Sequence, residues 1–98
     1  MRIEADSDAA VRERRLGEFT VPDRQWLGEE GRVMRRGIIP IRIEYKWHCN
    51  GFEVVAFGPM FEPLPEGAHV TRYIAIFEQV RSVDGLTVEF RGFKREGA

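Results

Sequence analysis

The amino-acid sequence predicts an α+β fold in which a curved antiparallel sheet of about four to six strands carries one or two short helices at its N-terminal side. Three observations lead there. Residues 41–49 alternate strictly between apolar and polar side chains. Two dipeptides, Asn50-Gly51 and Asp84-Gly85, stand between apolar runs, where tight turns belong. Nearly all aromatic and β-branched residues fall between 38 and 93, leaving residues 1–36 polar and charged. With 98 residues, 43 % of them hydrophobic, the chain has room for one core and enough apolar side chains to fill it. A single domain over 1–98 is expected, with a polar helical segment over 1–36 and the sheet over 38–94.

Taken in chain order, Ser7 is placed to cap a short helix through Ala9, Val11 and Leu16 that Gly17 stops, with Arg12, Arg14 and Arg15 narrowing its apolar stripe. Thr20-Val21-Pro22-Asp23 has the form of a capping box with proline in the first turn, so a second short helix should carry Trp26 and Leu27 and end near Gly28 or Gly31. In the strand that follows, Ile41, Ile43, Tyr45, Trp47 and Cys49 point one way, toward the core, and Arg42, Glu44, Lys46 and His48 the other. A type I′ turn at Asn50-Gly51 would pair Cys49 with Phe52, Trp47 with Val54 and Tyr45 with Ala56, all apolar on one face.

A proline-rich connection spans residues 58–67 and cannot be a central strand. Val70 to Val80 reads as an interior strand, apolar on both faces over Tyr73-Ile74-Ala75-Ile76-Phe77. Leu86, Val88 and Phe90 then alternate with Thr87, Glu89 and Arg91. A two-residue loop at Asp84-Gly85 would set Val88 against Arg81 and Phe90 against Gln79, so a longer loop that includes Val83 is expected.

Charge and cysteine usage exclude several function classes. Fifteen basic and 16 acidic residues nearly cancel, which leaves no field to draw the chain to nucleic acid or to an anionic membrane. The single Cys49 cannot form an internal disulfide, and with two histidines it cannot complete a four-ligand zinc site. The first residues carry acid where a signal peptide needs base, and no run approaches the ~18 apolar residues of a membrane span. A cytoplasmic setting is expected. No Gly-rich phosphate loop, zinc-spaced ligand set or nucleophile elbow is present, so no cofactor is expected.

The candidate chemistry is sparse. In the register of a two-residue turn, His48 lies opposite Glu53 on the face away from Trp47, and an imidazole held by a carboxylate can serve as a general base, although such pairs are commonly plain cross-strand partners. His69 follows the loop near Glu66 and points either into a site or to solvent. Cys49 reads as a small buried hydrophobe. Met60, Phe61 and Leu64, on a proline-stiffened loop, either cover the sheet or are offered to a partner. Arg32, Arg35 and Arg36 stand beside Glu29 and Glu30, as on a solvated, salt-bridged face.

The stretch from His48 to Phe93 resembles the C-terminal half of the SnoaL-like polyketide cyclases, in the nuclear-transport-factor-two-like superfamily. The likeness lies in the order of parts: the Asn50-Gly51 turn, a connection closing with Pro65-Glu66-Gly67, the long strand Val70-Thr71-Arg72-Tyr73-Ile74-Ala75-Ile76-Phe77, and Asp84-Gly85 opening Leu86-Thr87-Val88-Glu89-Phe90. The resemblance implies a cone-like, cystatin-like half-barrel. It also implies binding of a small apolar ligand against Tyr45, Trp47, Tyr73, Phe90 and Phe61, with His48 or His69 as polar contacts. The chain departs from the family where its last strand should bring an acid: Gly92, Phe93, Lys94 and Arg95 stand there, and the aspartates are only Asp6, Asp8, Asp23 and Asp84. The expected function is therefore ligand binding. The alternatives are an acid-base enzyme of cyclase, isomerase or epoxide hydrolase type on the same scaffold, and a protein-interaction module using the 58–69 loop. A homodimer is expected, because a chain this short gains burial by pairing.

Overall fold

The alternation does build a strand as far as Lys46, and in the computed structural model, which describes residues 3–97, two further strands join it in one antiparallel sheet. In chain order the elements are α1 (Ile3–Arg12), β1 (Leu16–Pro22), α2 (Asp23–Leu27), α3 (Glu29–Arg35), β2 (Ile39–Lys46), β3 (Gly51–Phe57), β4 (Tyr73–Ser82) and β5 (Gly85–Arg95). The architecture is α+β. Its strands fall into a three-stranded sheet ordered β1-β3-β2 and a separate β4-β5 hairpin, both antiparallel, and its helices number three rather than one or two.

The largest departure from the sequence reading is β1, a strand inside the segment expected to be helical. Its period is two: Gly17, Phe19 and Val21 are buried while Thr20 and Pro22 are exposed. The charged neighbours Glu13, Arg14, Arg15 and Glu18 hide that short apolar alternation. Helix α1 begins before Ser7 and ends at Arg12, so Ser7 lies inside it, and Leu16 and Gly17 belong to β1. The capping box does not form either. Thr20 is in the strand, Pro22 occupies the cap of α2 without a side-chain bond, and the Asp23 N–H donates to the Asn50 carbonyl at 2.9 Å.

Both hairpin registers differ from expectation. Between β2 and β3 the turn takes four residues, Trp47 to Asn50, so Lys46 pairs with Gly51, Tyr45 with Phe52 and Ile43 with Val54. Asn50 adopts positive φ (52°), but Gly51 serves a different end: a Cβ there would stand 3.0 Å from the Val21 carbonyl oxygen, so glycine lets β3 approach β1. The slip of four positions keeps the same side chains on the same face, because the strand period is two. It also leaves Trp47, His48 and Cys49 in an exposed turn rather than in the sheet. In the second hairpin Ser82 pairs with Gly85 across a two-residue loop, Val83-Asp84, where a longer one was expected. Starting the loop one residue earlier sets Phe77 against Phe90 and Gln79 against Val88.

The core lies on the inner face of the sheet. Phe19 and Val21 of β1 and Val54 and Ala56 of β3 meet Trp26, Met34 and Ile38 from the helical side and Phe61 and Tyr73 from beyond the sheet. Phe61 is fully buried, with ring centroids 4.7 Å from Tyr73 and 4.8 Å from Phe93. Phe19 lies 4.6 Å from Phe93, which lies 5.1 Å from Phe90. Burial of one such ring stabilises the fold by roughly 2–3 kcal/mol. Phe61 and Leu64 thus plug the domain's own core, and Met60 alone of that trio is exposed.

Candidate functional site

On the outer face of the sheet, Glu18 of β1, Val55 of β3 and Ile41 and Arg42 of β2 form the floor of a groove of about 590 Å³ whose wall is His69, Val70 and Arg72. Ile41 belongs to this face because β2 bulges between Pro40 and Arg42, which takes it off the inward side the alternation assigned to it. The charges in the groove hold one another. Arg72 reaches Glu18 at 2.6 Å, Glu96 at 3.1 Å and the Thr20 hydroxyl at 3.1 Å, and Arg42 stands 3.9 Å from Glu18 and 3.7 Å from Glu53. Partial burial pushes the Arg72 guanidinium down, but its bonds to Glu96 and Glu18 outweigh that and raise its pKa.

A smaller cleft of about 280 Å³ lies between Glu29, Glu30 and Val33 of α3 and Val88, Glu89 and Phe90 of β5. Of the neighbouring arginines, Arg32 pairs with Glu29 at 3.5 Å. Arg35 turns inward, donating to the Trp26 carbonyl with its guanidinium 4.8 Å above the indole.

The residues singled out from the sequence are spread over five places. Tyr73 and Phe61 are core, and the Tyr73 hydroxyl accepts the Glu62 N–H at 2.8 Å. Phe90 is half-buried in the wall of the smaller cleft, and His69 is exposed at the groove. Tyr45 is exposed at the sheet edge, its hydroxyl donating to Asp23 at 3.1 Å. Trp47 is 78 % exposed in the turn, edge-on to His48. His48 and Glu53 are not opposed, since Glu53 pairs with Glu44 and Thr20 in the actual register. Cys49 is exposed, not buried, because the turn begins two residues before it.

The resolved proton equilibria run away from neutrality. A hydrogen bond from Lys46 at 2.6 Å holds the Glu44 carboxyl below its ordinary range, and the same bond raises Lys46. Partial burial and the bond to Asp23 raise the Tyr45 phenol. A general acid or base needs the opposite, a group drawn toward working pH. Among the described residues no three His, Cys, Asp or Glu side chains group as a metal site would need, and no helix is long and apolar enough to cross a membrane.

What sequence reasoning missed is the free edge of β2. Ile43 and Tyr45 face the same way as buried Val54 and half-buried Phe52, yet they remain 47 % and 44 % exposed, since β2 closes the sheet order with β3 on one side and, among the described residues, no strand on the other. Alternation reports which face a side chain occupies and is silent on whether anything covers it. The signal that marks an edge was present in Pro40 and Lys46, residues that edge strands favour. No known protein family, curated protein or solved structure matches this chain.

Proposed function

We propose that this domain is a protein-interaction module that takes a partner strand onto the edge of β2, the homodimer expected from its small size being the simplest such assembly. The observation that carries the reading is the coincidence of an unpaired strand edge with the exposed side chains Ile43, Tyr45 and Trp47. An unpaired edge offers a row of N–H and C=O groups, and exposed apolar side chains beside it reward whatever covers them. This surface replaces the 58–69 loop, whose Phe61 and Leu64 are committed to the core. Amide hydrogen exchange tests it: residues 41–46 should gain protection as protein concentration rises or a partner is added, and residues 16–22 should not. Protection of β2 that never changes with concentration or partner would remove the reading.

A second reading, small-molecule binding, is supported by the outer groove, whose Ile41, Val55 and Val70 offer apolar contact between paired charges. Titration with amphiphilic ligands, followed by the His69 imidazole resonances, tests it. A shift at His69 that saturates would favour this reading, and none across a broad panel would discard it.

A further inference from the structure

Resting on the edge reading, we infer that the partner strand is β2 of a second copy, joined antiparallel about a two-fold axis at Ile43, and that Arg42 and Glu44 select this register. A two-fold axis perpendicular to the sheet joins two copies of one edge while keeping inner face with inner face and outer with outer. Within β2 the axis can stand at Arg42, Ile43, Glu44 or Tyr45, and the side chains of the outer face discriminate among them. Centred on Arg42, the pairing sets Arg42 against Arg42 of the partner subunit and leaves Glu44 facing Pro40 of the partner subunit, with no cation opposite it.

Centred on Glu44, the pairing sets Glu44 against Glu44 of the partner subunit and Arg42 against Lys46 of the partner subunit, so every outer contact is between like charges. Centred on Tyr45, it draws Trp47 into the ladder, and that residue belongs to the turn. It also asks Lys46, already bonded to Glu44 of its own chain at 2.6 Å, to serve as the sole cation for the partner. Centred on Ile43, Arg42 meets Glu44 of the partner subunit twice over, Ile43 meets its own copy on the apolar face, and residues 42–44 lie within the strand clear of the bulge at Ile41.

The groups that would pair are available. Arg42 stands 3.7 and 3.9 Å from the acids of its own chain, looser than a hydrogen-bonded ion pair, and 59 % of its side chain is exposed. Lys46 engages Glu44 through Oε1, which leaves Oε2 for an incoming guanidinium. Arg42 and Glu44 lie on the same outer face, since they oppose Val55 and Glu53 of β3. Pro40 lacks an N–H and the turn begins at Trp47, so the ladder is bounded at both ends. The edge thus admits its own copy in one alignment.

Charge reversal provides the test, read by native mass spectrometry and sedimentation over a concentration series, with thermal melts by circular dichroism to show that each variant folds. Arg42→Glu and Glu44→Arg should each weaken self-association about tenfold or more, because each turns two attractive contacts into repulsive ones. Mixed together they should form a heterodimer at concentrations where each alone is monomeric, and the double variant R42E/E44R should regain the homodimer. If the unaltered chain dimerises but the mixture shows no preference for the heterodimer, the register is wrong while the edge reading survives. If the unaltered chain stays monomeric to near-millimolar concentration but its 41–46 amides become protected on adding another protein, self-pairing is wrong and the edge reading again survives. If neither occurs, both fall.

Discussion

At the β1 edge of the three-stranded sheet, the connection between β3 and β4 is laced to the strand: Gly58 N–H donates to Arg15 O at 3.0 Å, Leu64 N–H to Arg14 O at 2.8 Å and Glu18 N–H to Thr71 O at 2.9 Å. The Arg15 guanidinium adds a bond to Phe61 O at 3.0 Å. At the β2 edge no comparable lacing exists among the described residues, and the apolar face runs out into solvent at Ile43 and Tyr45. Both strands alternate and both flank β3. The difference teaches that a strand's fate is decided by the chain that happens to return beside it, here a proline-stiffened segment that passes β1 and never reaches β2.

The strongest way to break this contrast is to remove the anchor of the lacing. Phe61→Ala should cost about 3–5 kcal/mol, the usual toll of emptying a fully buried aromatic site, and in a domain whose total stability is on the order of 5–15 kcal/mol that leaves little. Chemical denaturation measures the loss, and hydrogen exchange should show β1 losing protection first. A cost below about 1 kcal/mol would mean that the connection does not hold the β1 edge. Gly17→Ala attacks the same contact from the other side. Its Cβ would fall 2.7 Å from the Phe61 ring, so about 1–3 kcal/mol of overpacking is expected, again read by denaturant midpoint.

Smaller effects sharpen the comparison. Arg72→Ala removes the ion pairs to Glu18 and Glu96, and at 41 % side-chain exposure it should cost no more than about 1 kcal/mol, shrinking further as salt is added. Trp47→Ala should change stability by less than about 0.5 kcal/mol, yet weaken self-association measurably by sedimentation; a large loss of stability would show that the turn is packed after all. The smallest effect is a titration. Because the Lys46 bond holds Glu44 below its ordinary pKa, the contribution of that pair is present at neutral pH and fades as pH falls through the folded-state value. Lys46→Met should move the Glu44 midpoint upward by NMR.

The α+β class and the existence of four strands were legible because alternation and turn dipeptides are local signals. The faces of Ile43 and Tyr45 were legible too, though not that of Ile41, which the bulge turns outward: a register slip of four residues between β2 and β3 changed every partner and left Tyr45 beside Phe52 and Ile43 beside Val54 on the intended side. β1 was not legible, since its inward residues Gly17, Phe19 and Val21 stand among arginines and glutamates, and Gly17 reads equally well as the stop of a helix whose apolar stripe is Ala9, Val11 and Leu16. The dispersal of the candidate residues was hidden for a different reason. Whether Phe61 lines a pocket or plugs a core depends on Gly17, far away in sequence, having no side chain to keep it out. His48 and Glu53 were separated by a turn longer than its Asn-Gly dipeptide suggested.

The pairing of Leu16 with Phe57 also sets an order of events during folding. The β2-β3 and β4-β5 hairpins close short loops and can form within microseconds, whereas β1 must wait until β3 exists and then bring in a far longer stretch of chain. Until β1 docks, β3 presents a second open edge, so the nascent domain is stickier than the finished one. Gly17→Ala should accordingly quicken unfolding with little change in the folding rate, the signature of a contact made after the rate-limiting step.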